Sequence, residues 1–218
     1  MKEAFDHLPL KEADIVVTGQ RDSFYRSIFA HTSADDEFWK SRDHSACVSK
    51  VNTPVYLIGG WYDLYLREVL GTYSTLIAGG KNPYLTIGPW HHFQLGPNLE
   101  AVQSGLNWFD AHLKSDRKRL REKPVRIYVM GLNEWREMDK WPPPAFETSY
   151  FLNSERRLMP ETPVSTSPSD RYRYDPADPT PAVGGALLDR KSAGSKDNRS
   201  LEARHDVLCY TTPNIPRH

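Results

Sequence analysis

The stretch TPVYLIGGWYD, residues 53 to 63, decides the fold. Within it, Pro54-Val-Tyr-Leu-Ile-Gly-Gly60 is a short, nearly continuous apolar run closed by two glycines. A strand that is apolar at consecutive positions suits burial on both faces, which is the condition of parallel sheets. Working outward, residues 64–79 place Leu66, Val69, Leu70, Tyr73, Leu76 and Ile77 at helical spacing, and Gly79-Gly80 closes that helix. A second buried run follows at Tyr84-Leu-Thr-Ile-Gly88. Residues 99–114 return to helical spacing, with Val102, Leu106, Phe109 and Leu113 on one face. The order strand, helix, strand, helix predicts a crossover connection, parallel pairing and an α/β architecture.

The bulk numbers bound what surrounds this unit. With 218 residues and 25.0 kDa, the chain has room for one or two small domains. The net charge of +0 and pI near 7.1 give no electrostatic footprint for nucleic acid or an anionic membrane. No apolar run is long enough for a membrane span. The opening MKEAFDHLPL lacks the apolar core of a signal peptide, but it need not be the natural start, so the compartment stays open with the cytoplasm favoured. The basic run from Lys114 to Lys123 contains two acids and reads as a solvated segment after a helix. Cys47 and Cys209 are far apart and lie in no metal-ligand spacing, so they are expected as buried free thiols.

Residues 1–50 are polar and aromatic-rich, with helix-like stretches. Ser33-Ala-Asp-Asp-Glu-Phe-Trp39 reads as a helix start with Ser33 as cap. Beyond Pro124 the character changes. Val125 to Met130 alternates and predicts a strand. Punctuation then becomes dense at Trp141-Pro-Pro-Pro144, Asp175-Pro-Ala-Asp-Pro-Thr-Pro181 and Gly184-Gly185. Short candidate strands at 148–152, 171–174 and 206–211 predict an all-β domain with long loops.

Two strand ends carry chemistry. The first delivers Gly60-Trp61-Tyr62-Asp63 and the second Gly88-Pro89-Trp90-His91-His92. Catalytic groups of open α/β sheets collect at the carboxyl ends of strands. Asp63 and His92 are separated by about one βαβ unit, so the two can meet. An acid that holds a histidine tautomer is two-thirds of a nucleophilic triad. The chain order in α/β-hydrolases is Ser, acid, His, which puts the serine upstream of Asp63. No serine there sits in a G-x-S-x-G frame; the one glycine before residue 59 is Gly19. Alternatives stand beside this reading. Asp63 can cap the following helix. The two histidines are a poor metal pair, because adjacent extended residues point to opposite faces and no third ligand is spaced for one ion. Asp175 and Asp178 suit Asp-Pro turns better than calcium. No metal or cofactor is expected. His91 reads as a surface or loop residue. Trp61 and Trp90 suit packing or the border of the site.

Pro54-Val-Tyr-Leu-Ile-Gly-Gly-Trp-Tyr-Asp63 followed by Ile87-Gly-Pro-Trp-His-His92 resembles the X-prolyl dipeptidyl-peptidase and cocaine-esterase type of serine hydrolase. Further matches are Trp108-Phe-Asp-Ala-His-Leu-Lys114, Pro124-Val-Arg-Ile-Tyr-Val-Met-Gly131 with Asn133-Glu-Trp135, Tyr174-Asp-Pro-Ala-Asp-Pro179 and Leu201-Glu-Ala-Arg-His-Asp-Val-Leu-Cys-Tyr-Thr-Thr212. The resemblance implies residues 1–50 as the end of a helical cap, 51–120 as the last part of an α/β-hydrolase domain, and 121–218 as part of a galactose-binding-like β jelly roll. It implies Asp63 as triad acid, His92 as base and His91 as the variable residue between. Tyr65 matches a position lining the acyl pocket, with Trp61 and Trp90 as further lining residues. The substrate would be a small ester or X-Pro peptide. The serine-bearing half is expected to lie outside the chain, so that the chain alone would be inactive. A non-catalytic binding or assembly module, or a truncated gene product, is the alternative. An incomplete sheet would leave edges and apolar faces open, which predicts self-association and a homo-oligomer.

Overall fold

The computed structural model describes residues 4, 6–95, 99–164 and 169–213; the remaining residues, including most of the first five and the last five, lie outside that description. The chain divides into two compact units, Met1–Val51 and Asn52–His218.

The first unit is helical. Its helices are α1 (Ala13–Thr18), α2 (Ser23–Ala30) and α3 (Glu37–Lys40), with short 3-10 turns at Leu10–Glu12 and Ser45–Lys50. Gly19 ends α1 in the left-handed conformation, φ 76°, and its N–H donates to the Ile15 carbonyl. Asp22 caps α2 by accepting from the Tyr25 N–H at 2.6 Å. Asp36, not Ser33, caps α3, accepting from the Phe38 N–H at 2.8 Å; Ser33 instead accepts from the Asp35 N–H. The unit is pinned by a carboxylate fork. Arg26 donates from Nε and Nη2 to the two oxygens of Asp14, at 2.7 and 2.9 Å. Asp14 also accepts from the Ile15 and Asp22 N–H groups. Cys47 is an exposed thiol here rather than a buried one, and Cys209, in the second unit, is half-buried.

The second unit is built on a four-stranded sheet. Its strands are β1 (Tyr56–Tyr62), β2 (Tyr84–His91), β3 (Val125–Val129) and β4 (Glu134–Met138), in that spatial order. β1 and β2 pair in parallel, as do β2 and β3; β3 and β4 form an antiparallel hairpin. The strand expected at 125–130 therefore forms, and it pairs with the α/β strands on one side.

Between β1 and β2 runs α4 (Leu66–Ala78). Gly80, at φ 72°, closes it: the Lys81 N–H donates to the Leu76 carbonyl and the Gly80 N–H to the Ile77 carbonyl. These are the two bonds of a Schellman end, which only a left-handed residue permits. Helix α4 covers one sheet face, where Tyr73 packs with Leu85, Ile87, Val125 and Ile127, flanked by Leu57, Trp61 and Val69. After β2 come the short α5 (His92–Leu95) and the longer α6 (Leu99–Leu113). Helix α6 covers the other face, with Trp108 against Tyr56 and Tyr84. Trp108 and Ala111 are its buried positions, while Val102, Leu106, Phe109 and Leu113 are exposed. The apolar stripe evident in the sequence is thus the outer face of α6, not the face on the sheet.

Beyond β4 the described residues hold a two-stranded antiparallel ladder, β5 (Phe151–Asn153) with β6 (Arg157–Met159), and the short helix α7 (Arg199–Glu202). The strands expected at 171–174 and 206–211 do not form. Residues 171–174 are irregular, and the second stretch contributes a single bridge, Thr211 to Arg157. Asp175 holds its Asp-Pro turn by accepting from the Ala177 N–H. Arg204 and Thr180 hold the buried Asp206, which keeps its carboxyl well below the usual carboxylate range.

The basic segment after α6 is not simply solvated. Arg121 folds back under the sheet, donating to the carbonyls of Leu85 and Pro124 at 2.9 and 2.7 Å and to the Tyr56 hydroxyl at 2.8 Å. It also donates to the fully buried Thr86 hydroxyl, and its guanidinium lies over the rings of Tyr56 and Tyr84. One cation thus ties the starts of β1, β2 and β3. Removing it leaves buried acceptors without a donor.

Two outcomes follow. Arg121→Ala should lower unfolding free energy by about 2–4 kcal/mol, read as a lower urea midpoint at unchanged slope; a shift under about 0.5 kcal/mol would contradict the clamp. In the first unit, Arg26 holds the Asp14 carboxyl down to about 2. A carboxyl lowered by folding stabilises the fold above its unfolded value near 4, and that support is lost as pH falls through the folded value. Helicity of residues 10–30, followed by NMR shifts, should therefore decline between about pH 4 and 2. Arg26→Gln should move the decline upward; an unchanged profile would count against the pair.

Candidate active site

The site forms where β1 and β2 end side by side. Parallel pairing runs in register from Tyr56–Tyr84 to Gly60–Gly88, then slips so that Tyr62 pairs with His91. Two steps on β1 match three on β2, a bulge that contains Pro89, which has no N–H for the ladder. Gly60 sits so close to β2 that a Cβ there would lie 2.2 Å from the Trp90 carbonyl oxygen. At Gly88 a Cβ would lie 2.5 Å from the Trp90 indole itself. The two glycines thus let the strand ends close on each other and let the Trp90 ring fold back over β2.

Asp63 leaves β1 in a tight turn. Its N–H donates to the Gly60 carbonyl at 3.0 Å, and its Oδ1 accepts from the Tyr65 N–H at 2.7 Å. Asp63 is not the cap of α4, whose N-cap is Tyr65 without a side-chain bond; it orders the turn before the helix, with one oxygen only. The other, Oδ2, is buried and faces Nδ1 of His92 at 3.5 Å. That is longer than an ordinary N–H···O bond. Neither atom has a hydrogen-bond partner among the described residues. Buried polar atoms normally find partners, and catalytic hydrogen bonds are often long before substrate binds. The Asp63 side chain is 3% exposed and the His92 side chain 37%. The carboxylate is thus held inside, while the imidazole reaches solvent. With Nδ1 directed at the acid, Nε2 is left as the position that can exchange a proton with a substrate or nucleophile.

Two rings flank His92 edge-on: Tyr65 at 5.5 Å and Phe93 at 5.7 Å between centroids. The structure brings Asp63, His92 and Tyr65 together. Trp61 and Trp90 are engaged elsewhere: Trp61 donates from Nε1 to the Tyr128 carbonyl at 2.7 Å and packs on Trp141, and the buried Trp90 packs on Trp135. His91 is not a surface residue. It is buried in the last position of β2, and its N–H donates to the Gln94 side chain at 3.2 Å. Its neighbour Gly194 comes from a loop a hundred residues on, which no local pattern announces. Among the described residues no cluster of His, Cys, Asp or Glu could hold a metal ion, and no helix is long and apolar enough to cross a membrane.

Known proteins resemble the chain over most of its length. Residues 4–94 match the X-Pro dipeptidyl-peptidase (S15 family), and residues 119–217 match the X-Pro dipeptidyl-peptidase C-terminal non-catalytic domain. The chain is 34% identical over 203 residues to a cocaine esterase from Rhodococcus sp. (strain MB1 Bresler), covering 82% of this chain and 35% of that protein. In fold it is similar to an aminopeptidase from a marine sediment Thaumarchaeota archaeon, with TM-score 0.78 and 22% identity, covering 97% of this chain and 39% of that one. An α-amino acid ester hydrolase superposes equally well, with TM-score 0.78 and 21% identity, covering 93% of this chain and 38% of that one. The chain therefore spans little more than a third of the length of these proteins.

The close approach of the strands has a measurable consequence. Gly60→Ala drives a Cβ into the Trp90 backbone and should cost about 2–3 kcal/mol. In Gly59→Ala the Cβ meets the flexible end of Ile87 at 3.1 Å. That variant should cost well under half as much in the same chemical denaturation. Equal losses would contradict the packing described.

Proposed function

The chain belongs to the X-Pro dipeptidyl-peptidase (S15) family of hydrolases, and from that premise we propose that it supplies the acid and the base of a Ser-His-Asp hydrolase. One observation carries the proposal. A buried carboxylate and a solvent-reaching imidazole face each other across adjacent parallel strand ends, Asp63 Oδ2 to His92 Nδ1.

In this mechanism His92 Nε2 takes the proton of a serine hydroxyl as that oxygen attacks an acyl carbon. The protonated imidazole, stabilised by Asp63, then gives the proton to the departing alcohol or amine. His92 then takes a proton from water as the water oxygen attacks the acyl carbon, and gives it to the serine oxygen as the bond to serine breaks and the acid product leaves. The serine and the oxyanion donors come from the portion of the protein that corresponds to the remainder of its relatives. That portion pairs with the free edge of β1 and covers the apolar outer stripe of α6, and the chain alone is inactive. Tyr65, exposed beside His92, lines the acyl pocket. Trp61 and Trp90 serve by packing the strand ends that carry Asp63 and His92. The substrate is a small ester, as the cocaine-esterase relative suggests, or an X-Pro amide, as the family description suggests. The C-terminal region belongs to a jelly roll whose further strands complete the β5–β6 ladder.

The test joins this sequence to a serine-bearing portion of the family and measures ester hydrolysis. Asp63→Asn and His92→Ala should each reduce kcat by about 10⁴ while leaving the fold intact by circular dichroism. Full activity in either variant would overturn the assignment.

A further inference from the structure

The turn that carries His92 is gripped by a loop from the far end of the chain. Gly185 and Gly194 close that loop as a narrow pair, with the Gly185 N–H donating to the Gly194 carbonyl at 2.8 Å and the return bond at 2.9 Å. Gly184, at φ 71°, packs against the same carbonyl so tightly that a Cβ there would lie 2.7 Å from it. At the tip, Asp189 orders the turn: its carbonyl accepts from the Ala193 N–H and its carboxylate from the Ser192 N–H. The Ser192 side chain, and then its N–H, hold the Asp189 carboxyl below its usual range. The loop is therefore preorganised by its own bonds.

It touches the histidine turn at two points. Gly194 lies against the edge of the buried His91 ring, with space for a Cβ at 3.8 Å from Cδ2. Arg190 places its guanidinium 5.1 Å over the Phe93 ring. Phe93 in turn stands edge-on to both histidines, 6.3 Å from His91 and 5.7 Å from His92. The imidazole of His92 thus meets the rings of Tyr65 and Phe93, and a cation lies over that phenylalanine.

We propose that Arg190, in the region matching the non-catalytic domain, is a positioning residue for His92: through Phe93 it holds the imidazole with Nδ1 towards Asp63. The inference rests on the reading of Asp63 and His92 as an acid–base pair and extends it to a domain not counted as catalytic. Arg190 is exposed, so its substitution does not open the core. Its contact with Phe93 is of the cation–π kind, which favours arginine and tolerates lysine. Among the described residues, Asp63 and Tyr65 are the ionisable groups in contact with the His92 ring, and His91 and Arg190 meet it through Phe93.

The measurement is the tautomer of His92 in the intact chain, read from its imidazole nitrogen shifts by NMR, with the melting temperature as a check on folding. Wild type should show Nδ1–H as the dominant form. Arg190→Ala should raise the other tautomer about two- to fivefold, the change that loss of one exposed cation–π contact corresponds to. Arg190→Lys should restore most of the wild-type ratio at the same melting temperature. An unchanged ratio in a folded Arg190→Ala protein would overturn the proposal, as would equal disturbance by lysine. Asp63→Asn separates the two readings. If it shifts the tautomer and Arg190→Ala does not, the pair stands and the positioning role falls. If Asp63→Asn itself has no effect, the pair falls.

Discussion

Everything at the site depends on how closely two parallel strands approach at their carboxyl ends. Gly60 lies against the Trp90 carbonyl at a distance no side chain allows, and Gly88 gives the Trp90 ring its place over the sheet. These contacts carry the bulge in β2 that follows Gly88. The bulge is why β2 ends one residue out of step, with His91 beside Tyr62 and His92 turned across the end of β1 towards Asp63. Asp63 and His92 each lie one residue past their strand, in a turn and at the start of α5, so the slip in register sets where the two turns begin relative to each other. The glycines are therefore a geometric requirement of the pair as well as a signature in the sequence.

The two ends of the sheet are secured by different means. At the carboxyl ends, backbone closeness and the Asx turn of Asp63 fix positions. At the amino ends, Arg121 saturates the carbonyls and hydroxyls of three strand starts with one side chain. The Asp63 and His92 atoms without ordinary hydrogen bonds thus lie at one end of the strands and the hydrogen-bonded Arg121 clamp at the other.

The α/β order, the two strand ends and the Asp63–His92 pair were legible in the sequence because each has a local signal: a continuous apolar run, a glycine stop, and a titratable residue just after it. The burial of His91 was not legible, since the Gly194 contact joins segments a hundred residues apart. Arg121 was hidden for a related reason. A charged run looks solvated until one knows that the segment doubles back beneath β2. On α6 the apolar spacing is plain in the sequence, yet spacing does not say which side meets the sheet; Trp108 and Ala111 take that side and leave the apolar stripe outward. The region after β4 misled for a different reason. Its aromatic and apolar residues are held by turns and ion pairs such as Arg204 with Asp178 and Asp206, rather than by ladder bonds.

The most direct test of the central claim is a crystal structure of this sequence joined to a serine-bearing portion of the family and inactivated with a phosphonate. The account predicts the phosphonylated serine oxygen within about 2.6–3.2 Å of His92 Nε2, with Asp63 now hydrogen-bonded to Nδ1. A His92 ring turned away from the adduct, or an adduct served by another histidine, would contradict it.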